Sequence, residues 1–164
     1  MEQSGKKGSR KKTAHKWFET QDAIAYSKEF EKPKIIWGEI SDDPKFAFDD
    51  DRFYAEATTF IMTGEKLKYL LAILNSKVSE WYFKQIGTTT GMGTNRWKKY
   101  KIELLPIKLP SKEVDSKIEK LVDKILSAKE QNPHSDTTAI EKEIDQMVYK
   151  LYELTEEEIR IVEG

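Results

Sequence analysis

The sequence of 164 residues contains no cysteine, and this absence excludes several kinds of site. A disulfide framework, a thiolate zinc site, an iron–sulfur cluster and a cysteine nucleophile all require that side chain. Two histidines are present, His15 and His134, and neither has a carboxylate or nucleophile partner in the pattern around it. We therefore expect no histidine-built metal or catalytic site. A chain without cysteine suits a reducing compartment, so a cytoplasmic location is expected.

Long apolar runs are also missing from the sequence. No stretch approaches the roughly 18 apolar residues of a membrane span. The basic start of the sequence is not followed by the apolar segment of a secretion signal. We therefore expect a soluble protein that is not secreted and has no membrane partner. With 38% hydrophobic and 35% charged residues, the composition is that of one globular domain.

Positive and negative charges are nearly balanced in number but not in position. Residues 1–16 carry six basic and one acidic side chain, residues 17–110 carry fourteen of each, and residues 111–164 carry eight basic and fourteen acidic ones. An acidic surface repels a polyanion, so a nucleic-acid face is expected before residue 111. We predict a disordered basic arm or linker at residues 1–16, an α+β core at residues 17–110 and a helical region at residues 111–164.

The first half of the predicted core contains short strands. A short helix is expected within residues 17–30, ending before Pro33. β-branched and aromatic residues predict strands at residues 34–40, around Phe46 and Phe48, and at residues 54–63.

Helical spacing begins after these strands. One helix is predicted to start with Thr63 as its N-cap and another to cover Lys77–Ile86. Residues 87–95 (GTTTGMGTN) predict an exposed, mobile loop, because they offer glycines and threonines but little to pack. Residues 96–105 (RWKKYKIELL) are predicted to form a basic, aromatic strand.

The last third of the sequence is predicted to be helical. Capping-box pairs at Thr138 with Glu141 and at Thr155 with Glu158 predict two helix starts. The predicted fold class is α+β, with a small, mostly antiparallel sheet, flanking helices and a C-terminal helical hairpin. Two apolar stripes with steps of three and four residues, separated by a break at residues 132–133, are expected to pack on each other: Val114, Ile118, Leu121, Ile125 and Ala128; Ile140, Ile144, Met147, Leu151 and Leu154.

Motifs of common DNA-modifying enzymes are absent from the sequence. An amine methyltransferase requires an Asn-Pro-Pro-aromatic tetrapeptide, whereas residues 132–135 read Asn-Pro-His-Ser. A metal-dependent nuclease of the common type requires a Pro-Asp dipeptide, which does not occur. The glycines of residues 87–93 lack the Gly-Lys-Ser/Thr ending of a phosphate-binding loop. The aspartates at positions 42–43 and 49–51 are typical of turns rather than of a calcium loop. We predict no catalytic, cofactor or metal residues.

The strongest candidate for a binding surface lies at residues 84–101. This window has five basic side chains and no acidic one. The arginine fork matches guanine, the asparagine amide matches adenine, and lysine binds phosphate. We therefore expect phosphate contacts from Lys84, Lys98, Lys99 and Lys101, and candidate base contacts from Thr88, Thr89, Thr90, Asn95 and Arg96.

A structural interpretation of the same window competes with this hypothesis. On a strand, Trp97, Lys99 and Lys101 share one face, so the aromatics would be core and the lysines would keep an edge strand soluble. The pattern alone slightly favours that interpretation. A second alternative is a protein-interaction module that docks through the helices of residues 112–154.

Several segments together resemble a known family. They are KPKIIWGEIS at residues 32–41, KFAFD at 45–49, FYAEATTFIM at 53–62, KYLLAILNSKVSEWYFK at 68–84, IELLPIKLP at 102–110 and EIDQMVYKLYELTEEEIRIVEG at 143–164. In this order they are similar to the TaqI-like C-terminal specificity domain of type IIG restriction–modification enzymes and adenine-specific DNA methyltransferases. The resemblance extends over most of residues 17–164.

The resemblance implies a target-recognition domain that is not catalytic by itself. It implies double-stranded DNA as one partner and a catalytic methyltransferase domain of the same parent chain as another. S-adenosylmethionine and magnesium are then cofactors of the parent, with none in this fragment. Recognition loops differ among such domains, so the resemblance assigns no role to residues 87–95. The expected function is sequence-specific DNA recognition.

Overall fold

The computed structural model describes residue 16 and residues 25–56, 58–87 and 94–164. In this part of the chain a 3-10 helix at Ser27–Glu31 comes first. The strands are β1 (Lys34–Gly38), β2 (Ile40–Ser41), β3 (Ala47–Asp49), β4 (Thr59–Thr63) and β5 (Asn95–Arg96). The helices are α1 (Leu67–Asn75), α2 (Lys77–Ile86), α3 (Lys99–Ile102), α4 (Lys112–Gln131), α5 (Thr138–Tyr152) and α6 (Glu156–Glu163).

The strands form two small antiparallel sheets. In the first sheet β1 lies between β3 and β4, with Ile36 opposite both Ala47 and Ile61. In the second sheet β2 pairs with β5, with Ile40 opposite Arg96. The helices flank these sheets and complete the chain, which confirms the predicted α+β class.

One hydrophobic core joins the first sheet to the helices. Helix α1 is central to it, because it contacts α2, α4, β1 and β3 and buries most of its length. α4 and α5 also contact each other, as predicted from their apolar stripes. The core therefore extends from the sheet into the C-terminal helices. Its fully or almost fully buried members include Ile35, Tyr69, Ile73, Leu74, Phe83, Ile118, Val148 and Tyr149.

A buried ion pair fixes one end of the first sheet. Lys34 is completely buried in β1, where its ammonium pairs with Asp49 and donates to the Phe30 carbonyl at 2.8 Å. The Asp49 carboxylate also accepts the backbone N–H groups of Asp51 (2.9 Å) and Phe53 (3.2 Å). A buried charge is tolerated when it is paired and hydrogen-bonded in this way. The pair thus connects the 3-10 helix, β1, β3 and the following turn.

Several predicted elements are confirmed. The strand at residues 34–40 is present as β1 and β2, which Glu39 separates. The strand predicted around Phe46 and Phe48 is β3, which includes Phe48 but begins after Phe46. α2 has the predicted bounds, and α4 and α5 lie on either side of the predicted break. The chain is extended at Lys32, directly before Pro33, as expected. The part of the first predicted helix at residues 17–24 lies outside the described residues.

The strand predicted at residues 54–63 begins later than expected but ends at Thr63 as predicted, whereas the prediction of Thr63 as a helix N-cap was wrong. Only Thr59–Thr63 forms a strand, because the pairing with β1 ends where Gly38 faces Thr59. Before that point, the N–H and hydroxyl of Thr59 both bond to the Glu56 carbonyl and turn the chain. Thr63 belongs to β4 and is not an N-cap. α1 begins at Leu67 instead, after Lys66 in a left-handed conformation.

The predicted strand at residues 96–105 was also wrong. Pairing with the two-residue β2 ends at Arg96, and the chain then turns into the short helix α3. The Ile102 N–H bonds to the Lys98 carbonyl at 3.1 Å, in a helical pattern. Trp97, Lys99 and Lys101 therefore do not share a strand face, and the edge-strand part of the competing interpretation is wrong. Its expectation that the aromatics are core is confirmed for Trp97 but not for the exposed Tyr100.

The two predicted capping boxes have different outcomes. Thr155 and Glu158 form the complete capping box at the start of α6. α5 begins at Thr138 as predicted, but Thr137 occupies the N-cap position, and its hydroxyl donates to Glu141 at 2.6 Å. The division of the chain at residue 110 stays a prediction. Among the described helices, none is long and apolar enough to span a lipid bilayer.

Candidate nucleic-acid interface

The candidate interface is built on the basic segment, which we define as residues 95–101. Its first two residues are β5, whose pairing with β2 places Asn95 opposite Ser41 and Arg96 opposite Ile40. The segment continues through Trp97 and Lys98 into α3. Its position is thus set by a strand ladder at one end and a helical turn at the other.

Trp97 is the anchor of the basic segment. Its side chain is 2% exposed, and its indole N–H donates to the Ser41 carbonyl at 3.1 Å. Its backbone carbonyl accepts the indole N–H of Trp37 at 2.8 Å. Its ring stacks on Phe83 and meets the edge of Phe46. Because these contacts hold Trp97 in the aromatic core, the backbone of the neighbouring basic residues is held at a fixed position on the surface.

Arg96 and Lys98 share one counter-charge, the carboxylate of Glu39. Glu39 Oε1 lies 3.0 Å from Arg96 Nη1 and 3.5 Å from Lys98 Nζ. The side chains of Arg96 and Lys98 remain 43% and 39% exposed, against 27% for Glu39. Two partly exposed cations therefore lie side by side, held together by one acid.

Helix α3 adds two more lysines to the interface. Lys99 is the most exposed cation of the basic segment, at 71%, and lies 3.6 Å from Glu103. Lys101 donates to the Ile86 carbonyl at 2.6 Å and lies over the ring of Tyr100. The Lys101 bond ties α3 to the last residue of α2. Unlike Trp97, Tyr100 is exposed, so only one of the two aromatics belongs to the core.

Lys84 lies in the last turn of α2, the helix that ends beside α3. Its ammonium donates to Glu80 at 2.6 Å, and Lys77 donates to the same carboxylate at 3.0 Å. Partial burial favours the neutral acid, but the hydrogen bonds from the two lysines hold the pKa of Glu80 below its usual value. The side chain of Lys84 is half exposed.

The remaining predicted contacts differ from these exposed cations. Asn95 is 9% exposed, and its amide donates to the Asp42 carbonyl at 3.4 Å. Its side chain therefore holds β5 against the turn that follows β2. Thr88, Thr89 and Thr90 lie outside the described residues.

Glu39 is the site residue that sequence reasoning missed. It lies 57 positions before its partner Arg96, and only the pairing of β2 with β5 brings the two together. The available signal was a single acidic residue after Gly38, inside an otherwise apolar strand pattern. Within the described ranges, no group of three or more His, Asp or Glu side chains is arranged to hold a metal ion.

These features define a small α+β domain that presents a cationic segment on a buried aromatic anchor. A family model for the TaqI-like C-terminal specificity domain matches residues 3–107, which is more than half of the chain. The chain belongs to this family, whose role is target recognition in restriction–modification, and a specificity domain is not catalytic by itself. The match ends before α4, so it does not include the stretch at residues 143–164. A search of curated proteins finds no match.

Proposed function

We propose that the chain recognises a specific sequence in double-stranded DNA through the basic segment and the adjoining end of α2. The observation that carries the proposal is the anchoring of Trp97, which holds exposed cations around a rigid core in a chain of the specificity-domain family. Rigid placement suits recognition, because a base contact must be aligned within tenths of an ångström. The same segment has enough charge to bind the phosphate backbone.

The proposed contacts divide by chemistry. Lys84, Lys98, Lys99 and Lys101 bind phosphates, which position the domain without reading sequence. Arg96 reads a guanine through its two-pronged guanidinium. Thr88, Thr89 and Thr90 remain candidate base contacts. Asn95 was also a candidate, but its burial and its bond to Asp42 favour the task of holding β5 in place.

The proposed parent is a type IIG restriction–modification enzyme or an adenine-specific DNA methyltransferase. Its catalytic domain binds S-adenosylmethionine, uses magnesium where it also cleaves, and grips the duplex together with this chain. Such an enzyme acts in the cytoplasm on an adenine flipped out of the helix. The family membership supports this assignment.

A titration of the chain with a mixed-sequence DNA duplex at several salt concentrations tests the proposal. Each phosphate contact contributes about 0.9 to the slope of log affinity against log salt concentration. Lys99→Ala should therefore weaken binding and reduce the slope by about one contact. Lys117→Ala is the matched control, because Lys117 also pairs with an acid four residues away but lies on α4. Equal slopes for both variants and the unmodified chain would contradict the proposal.

A protein-interaction role is the alternative, and one feature favours it. A cavity of about 650 Å³ opens between β3, α1, α2, α4 and α5, with an apolar floor and a charged rim. Its floor includes Leu71, Val122 and Ile144. Among the described residues, none of the candidate DNA contacts lines this cavity, so the protein-interaction role would use a different surface from these contacts. Under the alternative, substitutions at the basic segment leave binding to the partner unchanged.

A further inference from the structure

We propose that Glu39 is a specificity-determining residue of the DNA interface, an inference that rests on the proposed function. Its carboxylate occupies, on Arg96 and Lys98, the place that an anionic DNA group would take. The consequence is a competition between an internal anion and the duplex. A DNA sequence that offers Arg96 a good base partner displaces Glu39 from Arg96, whereas an arbitrary sequence does not.

The backbone of Glu39 is held on both sides, and this fixes the point from which its side chain extends. Its N–H donates to the Thr58 carbonyl at 3.1 Å, and its carbonyl accepts the Trp97 N–H at 2.7 Å. Trp97 is itself locked in the core. Glu39 therefore sits directly beside the residues on either side of Trp97, and its Oε1 reaches both Arg96 and Lys98.

Phosphate contacts supply essentially all of non-specific DNA binding. At a sequence without a suitable base, Arg96 keeps its bond to Glu39, so its charge is not available to the approaching phosphates and non-specific binding gains nothing from it. At a guanine in the right place, two hydrogen bonds to the base replace the bond to Glu39. Discrimination by an unfavourable charge against the wrong partner is a general way to gain specificity.

Glu39→Gln tests this inference with little change in shape. Glutamine keeps the backbone bonds of Glu39 and an oxygen that can accept from Arg96, but it removes the negative charge. We expect the variant to bind a mixed-sequence duplex about 3- to 10-fold more tightly at low salt, with a steeper salt dependence. Selection from a pool of randomised duplexes should then enrich its preferred sequence less strongly than the unmodified chain does.

Glu113→Gln is the matched control for net charge. Glu113 pairs with Lys117 at 2.6 Å on α4, outside the proposed interface, so its loss should leave affinity within about twofold of the unmodified chain. A second test places Glu39→Gln in an Arg96→Gln, Lys98→Gln background. There the gain in affinity should vanish, because the cations that Glu39 restrains are gone.

Two sets of results would overturn the inference, and they differ in what else they affect. If the chain binds DNA and loses affinity on Lys99→Ala, but Glu39→Gln leaves affinity and salt slope unchanged or weakens binding, Glu39 has no such role and the proposed function stands. If the unmodified chain binds no duplex at any salt concentration, the proposed function fails and the inference fails with it.

Discussion

The ring of Trp97 lies face to face with that of Phe83, with centroids 3.8 Å apart and planes inclined by 8°. Phe83 belongs to α2 and is completely buried, so the stack attaches the basic segment to the helical core. The same helix carries Lys84 one residue later. This aromatic contact, together with the bond from Lys101 to the Ile86 carbonyl, sets the position of the basic segment relative to the end of α2.

Trp97→Ala should be strongly destabilising. Removal of a buried aromatic side chain leaves a cavity and typically costs about 3–5 kcal/mol of the free energy of unfolding. It also leaves the Ser41 carbonyl without the indole donor that it now has. Urea denaturation followed by fluorescence and circular dichroism measures the change.

Tyr100→Ala is the control for that substitution. Tyr100 is an aromatic residue three positions further along but is 57% exposed, so its removal should change the free energy of unfolding by about 0.5 kcal/mol or less. Equal losses for the two variants would mean that Trp97 is not an anchor.

The buried ion pair of Lys34 and Asp49 gives a second stability prediction. Lys34→Ala leaves a buried carboxylate without its counter-charge, which should cost about 3–5 kcal/mol. Lys32→Ala removes an exposed lysine that pairs with Glu29 at 2.6 Å, and should cost at most about 1 kcal/mol. Thermal unfolding of both variants makes the comparison. A small loss for Lys34→Ala would show that the pair is not needed to hold β1 and β3 together.

Asp145 gives a prediction of pH dependence. Burial raises the pKa of this carboxyl group above its usual value of 3.8, although it accepts the Lys77 N–H at 2.9 Å. A raised folded-state pKa means that the folded chain binds the proton more tightly than the unfolded one. The protonated Asp145 therefore makes its full contribution to stability at a pH below the pKa of the unfolded state. This contribution is lost as the pH rises through the pKa of the folded state.

Asp145→Asn should consequently be more stable than the unmodified chain at neutral pH, and the difference should disappear in acid. Asparagine keeps an acceptor for the Lys77 backbone N–H without the partly buried charge. Asp136→Asn is the opposite case, because hydrogen bonds from Thr138 hold the pKa of Asp136 below its usual value. Its loss of stability should appear at neutral pH and vanish in acid. Denaturation midpoints of both variants and the unmodified chain, measured across a pH series, make the comparison. Two variants that are both more stable, or both less stable, than the unmodified chain at neutral pH would contradict the opposite pKa directions of Asp145 and Asp136.

Arg96→Ala in the complete parent enzyme should relax sequence preference at one base pair. The expected loss of discrimination is about 1–3 kcal/mol at that position, because a bidentate contact to guanine is removed. Sequencing of methylated sites after reaction with a randomised substrate measures it. Lys99→Ala should instead weaken action on all sequences alike. An unchanged preference for Arg96→Ala would remove this residue from the set of base contacts.

Features that depend on neighbours in the sequence were predictable here. Helix α2 begins after a serine N-cap, and the stripe from Val114 to Ile125 repeats every three or four residues, so both signals are local. The strand β1 was likewise visible in its β-branched and aromatic residues.

Features that depend on distant partners were not predictable. Arg96 starts what looks like a strand, but β2 offers only two residues to pair with, so the chain turns into α3. Thr63 looks like an N-cap, but it is the last residue of β4, where it pairs with Lys34 of β1. The position of Glu39 beside Arg96 depends on the same pairing. The residues within a strand do not indicate where its pairing partner, which is distant in the sequence, ends.

The measurement that tests the central claim most directly is the NMR chemical-shift change of each backbone amide on addition of a DNA duplex. The account predicts that the largest changes cluster at residues 95–101 and at the end of α2, and that raising the salt concentration reduces them. Changes confined to α5 and α6, or no changes at any salt concentration, would contradict it.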